Sequence, residues 1–167
     1  DGGRITVGRL RGNGGIYYEQ DDEMFIAQGR DKSVRRTIVH EATHALQDRH
    51  SDPMSSLASE GAAYVAGGFY SVLKERATGD QGWTAPPEPR QPGNGLANLA
   101  RPPDPHIVET YQISYRIALR ILDESGGYRV SNEEADAIEV ELSQTRTYAS
   151  DIGRKTIFDG IGRGSAQ

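Results

Sequence analysis

Val34-Arg35-Arg36-Thr37-Ile38-Val39-His40-Glu41-Ala42-Thr43-His44-Ala45-Leu46-Gln47-Asp48 sets the period of the chain. Val34, Ile38, Ala42 and then Ala45 and Leu46 recur at steps of three and four, the spacing of one face of an α-helix. Asp31 or Ser33 can cap its start, and the pattern predicts a helix over 32–50. His40 and His44 stand four residues apart. On a helix their imidazoles therefore leave one face roughly 40° apart and one turn along. Two ring nitrogens so disposed can reach one Zn²⁺ at about 2.0–2.1 Å. Glu41, roughly 100° round, can take a proton from a water whose pKa the zinc lowers, and return it to a leaving amine.

Outward from this helix the signals are local and readable. Upstream, Ile5-Thr6-Val7 with Leu10, Ile16-Tyr17-Tyr18 and Met24-Phe25-Ile26-Ala27 are short β-branched and aromatic runs. They are separated by Arg11-Gly12-Asn13-Gly14-Gly15 and the acidic turn Gln20-Asp21-Asp22. Such runs predict a small antiparallel meander over 1–30. Downstream, Ser51-Asp52-Pro53 reads as a fresh cap with Pro at the first helical position. A second helix follows to about 77, with Leu57, Gly61, Val65, Phe69 and Val72/Leu73 on one stripe and a possible kink at Gly67-Gly68. Residues 31–78 thus form a unit of two helices around the proposed zinc site.

Residues 79–105 are dense in Gly and Pro and have no period, and read as a surface segment in preference to an active-site lid. A third helix is expected over about 106–123, with Val108, Tyr111, Tyr115, Ala118/Leu119 and Leu122 on one face and Gly126-Gly127 ending it. A fourth opens with a capping box from Ser131 to Glu134 and runs on through Ala135, Ile138 and Leu142,. Helical structure is expected to 149, and 150–167 reads as a flexible, frayed tail.

Composition narrows the function classes. The 167 residues hold 35% hydrophobic residues with 20 Gly and 8 Pro, enough for one modest core wrapped in irregular chain,. A net charge of −5, with arginines scattered singly or in pairs, argues against nucleic acid as a partner,. The absence of cysteine excludes disulfides, a thiol nucleophile and a Cys-based zinc site,. No apolar run approaches the roughly 18 residues of a membrane span. The start at Asp1-Gly2-Gly3 has no signal-peptide pattern and no Met, and reads as a processed product or a domain of a longer chain,.

A catalytic zinc needs a third protein ligand and an open position. Glu60, sixteen residues after His44, would fall on the second helix, where an antiparallel return brings it back to the metal. His50 has metzincin spacing, but a continuous helix puts it about 240° from His44, and Gln47 stands where that pattern needs Gly. Asp48 shares the ligand face but lies one turn further along. For support of a histidine's second ring nitrogen, Asp48, Asp52 and a main-chain carbonyl are candidates. For stabilising an oxyanion, Tyr64, His106, Tyr111 and Tyr115 are candidates, the tyrosines equally readable as core.

The stretch His40-Glu41-Ala42-Thr43-His44-Ala45-Leu46-Gln47-Asp48-Arg49-His50, followed by Ser59-Glu60-Gly61-Ala62-Ala63, resembles bacterial gluzincin-type metallopeptidases over roughly residues 34–66. The resemblance implies His40, His44 and Glu60 as zinc ligands, Glu41 as general base and acid, and His50 as structural. Ala62 stands where such relatives tend to carry an acidic residue, so support for a histidine ligand must come from elsewhere.

The expectation is therefore an α+β, zincin-like domain. It has a small antiparallel or mixed N-terminal sheet, the motif helix, a packed second helix and a mostly helical C-terminal half. Its expected function is zinc-dependent hydrolysis of peptide bonds, with Glu41, Tyr64 and Tyr115 as the catalytic candidates and a peptide or protein as substrate. The Ile16–Ala27 hairpin offers an edge for strand addition by that peptide. A secreted or delivered effector domain is favoured over a cytoplasmic enzyme, and a zinc-stabilised binding module is the competing class.

Overall fold

A computed structural model of the chain describes residues 4–10, 14–27, 32–50, 53–80, 104–124 and 129–156, with the side chains of 32 and 33 excepted. Three strands, β1 (Thr6–Leu10), β2 (Gly15–Tyr18) and β3 (Glu23–Ala27), precede four helices. These are α1 (Lys32–His50), α2 (Ser56–Thr78), α3 (Pro105–Asp123) and α4 (Asn132–Gln144). A short 3₁₀ turn at Ala149–Asp151 follows. The fold is α+β and mostly helical. Among the described residues no helix is long and apolar enough to cross a membrane.

The sheet is mixed, not the antiparallel meander that short strands and tight turns suggest. Its order is β1-β3-β2, with β1 parallel to β3 and β2 antiparallel to it. The β2–β3 hairpin closes over Asp21 and Asp22, the latter at φ 52°. β1 instead crosses to the far side of β3, where Gly8 lies under the Phe25 ring; a Cβ there would come within 2.6 Å of it. One face of the sheet packs on α1 through Tyr17, Met24 and Ile26, which meet Val34 and Ala45.

α2 is the central helix, between α1 on one side and α3 and α4 on the other. Its cap is Ser55, whose hydroxyl accepts from Ala58 N–H at 3.0 Å, and not the Ser51-Asp52-Pro53 segment. Gly67 and Gly68 do not break it, since the helix runs unbroken from Ser56 to Thr78. A Cβ at position 68 would lie 2.6 Å from the Ser114 carbonyl oxygen, so that glycine lets two helix backbones touch,. The crossing is too narrow for large side chains, which moves the buried face of α3. Thr110, Ser114, Ile117 and Ile121 are buried; of the expected stripe Ala118 is buried and Tyr111 packs against the core, while Val108, Tyr115, Leu119 and Leu122 are half-buried. Ile121, Ile138 and Leu142 then join Leu57, Tyr64 and Val65 in the larger core. α4 starts at the expected capping box, with Ser131 and Glu134 exchanging side-chain and main-chain bonds.

The chain beyond α4 is built into the fold as far as Thr156, so the frayed tail expected over 150–167 does not hold for 150–156. Ser55 bridges to Lys155, Ser56 N–H donates to the Arg154 carbonyl at 3.0 Å, and Thr156 N–H donates to the Met54 carbonyl at 3.2 Å. Gly126-Gly127, most of the Gly/Pro-rich segment and the last eleven residues lie outside the described residues.

Candidate metal centre

α1 and α2 lie side by side so that His40 and His44 face Glu60. His40 Nε2 and His44 Nε2 are 3.3 Å apart, His40 Nε2 is 3.1 Å from Glu60 Oε2, and His44 Nε2 is 3.5 Å from Glu60 Oε1. A tetrahedral ion at about 2.0–2.1 Å from each donor separates its ligands by roughly 3.3–3.4 Å. The two ring nitrogens stand at the separation of two such ligands, and each meets a different oxygen of the Glu60 carboxylate at the border of the cleft. Two neutral imidazole lone pairs at this distance repel unless a proton or a cation lies between them. The group could hold a metal ion.

Charge in the metal-free site follows the same geometry. Burial pushes the Glu60 carboxyl up, but its hydrogen bonds with His40 and His44 and their charge outweigh this and hold it well below the usual carboxylate range. Burial pulls His44 down, and the bond and charge of Glu60, then Glu41 and Gln47, more than restore it, so its shift is upward. Glu41 is buried and shifted upward by that burial, against the charges of both imidazoles.

The support of the His44 imidazole comes from residues not put forward for that role from the sequence. His44 Nδ1 is 3.0 Å from Ser59 Oγ and 3.2 Å from Gln47 Oε1, while Ser59 Oγ donates to Gln47 Oε1 at 2.8 Å. That chain fixes Nδ1 as the donor and leaves Nε2 as the ligand atom. Gln47 and Ser59 thus fill the role that the sequence left open among Asp48, Asp52 and a carbonyl. Asp48 instead is fully buried and accepts from Tyr17 Oη at 2.7 Å, which removes it from the ligand candidates. His50 is exposed at the end of α1, and Asp52 lies outside the described residues.

Glu41 is held from the sheet side. The Tyr17 N–H donates to its carboxylate. A Cβ on Gly15 would stand 2.7 Å from Glu41 Cγ and 3.0 Å from its Oε1, so only glycine leaves that carboxylate its room. Ala27 N–H donates to the Gly14 carbonyl. The alternation of an antiparallel ladder then gives the paired main-chain groups to Ile16 and Tyr18, and turns those of Gly15 and Tyr17 to the open edge of β2,. This edge borders a cleft of about 530 Å³ that also exposes His40, His44, Glu60 and Tyr148. Arg154, Lys155 and Thr156 form its other wall.

The tyrosines separate clearly. Tyr64 is buried, its ring edge-on to His40 with centroids 5.0 Å apart, and burial pushes its hydroxyl up. Tyr115 is not at the centre: its hydroxyl donates to Glu75 at 2.6 Å, fifteen residues beyond Glu60 on α2, about 22 Å along the helix axis,. Burial and Glu75 push it up to about 12. His106 pairs with Glu141 at 2.9 Å on the α3–α4 side. Tyr148, which sequence reasoning missed, lines the cleft, its ring edge-on to Tyr64 with centroids 6.4 Å apart and its hydroxyl coupled to Tyr64 and Glu60. Burial raises it strongly. It follows α4 in a stretch with no periodic signal, 88 residues from Glu60, and no spacing rule could have paired them.

Comparison of the chain with protein-family models, with curated proteins and with solved structures gives no match.

Proposed function

We propose that the chain is a zinc-dependent peptidase of gluzincin type with a zincin-like fold. The observation that carries this reading is the convergence of His40 Nε2 and His44 Nε2, 3.3 Å apart, on the two oxygens of Glu60 at 3.1 and 3.5 Å, on the border of a cleft. A bound Zn²⁺ would act as a Lewis acid there and make a water acidic near neutral pH. His40, His44 and Glu60 would hold the ion, and Ser59 and Gln47 would keep His44 in the tautomer that offers Nε2.

Glu41, next to both ligands, is the base that accepts a proton from the attacking water and hands it to the departing amine. Gly15 and the Tyr17 N–H fix its carboxylate for that transfer. Tyr148, in place of the expected Tyr64 or Tyr115, is the donor for the carbonyl oxygen as it gains negative charge. An extended peptide would lie along β2, bonding the main-chain groups of Gly15 and the carbonyl of Tyr17.

The test combines metal content with hydrolysis of casein and of internally quenched peptides. Purified protein is expected to carry one zinc per chain and to cleave. Glu41→Gln is expected to keep the zinc and to lose about 10²–10⁴-fold in kcat. Zinc retained with cleavage that ignores Glu41 would favour a zinc-stabilised binding module, and a chain that takes up no zinc would end the proposal.

A further inference from the structure

Behind the metal centre lies a second, smaller cavity of about 170 Å³. It shares Gly15, His40, Glu41 and Tyr148 with the main cleft and is bordered beyond them by Arg36 and Tyr111. Arg36 stands one helical turn before His40 on α1, so it lies on the ligand face, with its Cβ about 5–6 Å from that of His40. Its guanidinium carbon sits 4.6 Å from the centroid of the Tyr111 ring, a cation–π stack that fixes the head group,. Its stem is accommodated by Gly67, where a Cβ would come within 3.2 Å of Arg36 Cγ.

Among the described residues no carboxylate pairs with Arg36, which is half-buried; other arginines without an acidic partner, such as Arg35 and Arg49, are exposed, and the half-buried Arg120 is paired with Glu134. Glu41 borders the same cavity, but its carboxylate is held on the sheet side by Gly15 and the Tyr17 N–H and makes no ion pair with Arg36. The Tyr111 hydroxyl likewise makes no hydrogen bond to another described residue. A half-buried guanidinium, stacked, given space by a glycine and left without a counter-charge, is arranged to receive an anion from outside.

We infer that this cavity is a carboxylate-binding subsite, and that the enzyme prefers peptides with a carboxylate next to the scissile bond, received by Arg36. The identity of the ligand as a peptide rests on the function proposed above. Two sources present the same chemistry, an Asp or Glu side chain flanking the cleaved bond, or the free C-terminus of a short peptide. Arg36 is then a specificity residue, one turn from a metal ligand.

The test uses the zinc-loaded protein and matched peptides with Glu or Gln at each position flanking the bond, all amidated at the C-terminus. A second set, with neutral side chains, ends in a free carboxylate or an amide. The carboxylate member of one set is expected to be favoured by about ten- to hundred-fold in kcat/KM, the range of a hydrogen-bonded ion pair, and to lose that margin as salt is raised. Whichever set carries the preference identifies the source. In Arg36→Gln the ratio should fall toward one, and in Arg36→Lys it should persist in part.

Titration calorimetry of the same peptides on zinc-loaded Glu41→Gln reads the subsite without turnover. A carboxylate preference in binding with no cleavage by the parent protein supports the subsite and sinks the peptidase reading. Cleavage with no carboxylate preference in any set, or no preference in binding, overturns the subsite.

Discussion

Between the sheet and α1, the buried cluster consists of Tyr17, Met24, Ile26, Val34 and Ala45; between α2, α3 and α4 it comprises Leu57, Tyr64, Val65, Ile117, Ile121, Ile138 and Leu142. The first is small and laced with polar groups, since Tyr17 spends its hydroxyl on the fully buried Asp48. The second is larger and, among the described residues, holds no buried charge: the buried hydroxyls of Ser71, Thr110 and Thr145 are bonded to main-chain carbonyls, and each large apolar side chain fully buried there contributes about 1.5–3 kcal/mol. The metal triad straddles the two, with both imidazoles from the sheet side and Glu60 from the helical side. The contrast assigns rigidity to the helices and adjustability to the polar half, with the centre set on their seam.

That division can be broken from either side. Leu142→Ala is expected to lower the unfolding free energy by about 2–5 kcal/mol in denaturant titrations, while the folded fraction keeps its zinc affinity; a parallel fall in affinity would mean that the two halves are not separable. Tyr17→Phe leaves Asp48 short of its 2.7 Å donor, at a cost of about 1–3 kcal/mol. Hydrogen exchange should then accelerate in β2, β3 and α1 but not in α3 or α4, and uniform acceleration would erase the distinction.

Smaller changes sharpen the seam. Ser59→Ala removes the hydroxyl 3.0 Å from His44 Nδ1, and chelator competition should record a loss of about 10–100-fold in zinc affinity with little change in metal-free stability. Unchanged affinity would make the Ser59–Gln47 chain incidental. Arg116→Gln, at an exposed 2.9 Å pair with Glu109 on the helical side, should shift stability by less than about 1 kcal/mol. A larger loss would show that surface charge, and not the apolar core, holds that half together.

What could be read in the sequence was what local period encodes. The motif helix over 32–50, the helix ending near 77, the third helix to 123 and the Ser131 capping box all correspond to observed elements, because each is specified by neighbours three or four residues apart. The meeting of His40, His44 and Glu60 was foreseeable from helix pairing and from the resemblance. What escaped was set by distant contacts. The parallel pairing of β1 with β3, the moved face of α3 caused by Gly68 against Ser114, and Tyr148 beside Glu60 depend on partners no periodicity connects. The charge of Arg36 belongs to the same class: the sequence reports its presence, and only the packing reports that no carboxylate among the described residues pairs with it.

The strip from Arg154 to Thr156, bonded to Met54, Ser55 and Ser56, has a consequence for the order in which the molecule is made. During synthesis His40, His44 and Glu60 emerge roughly a hundred residues before the segment that walls their cleft. Closing so long a stretch of chain is among the slow events of folding. The nascent protein can thus bring His40, His44 and Glu60 together early, yet its groove takes final shape only when translation has passed Thr156.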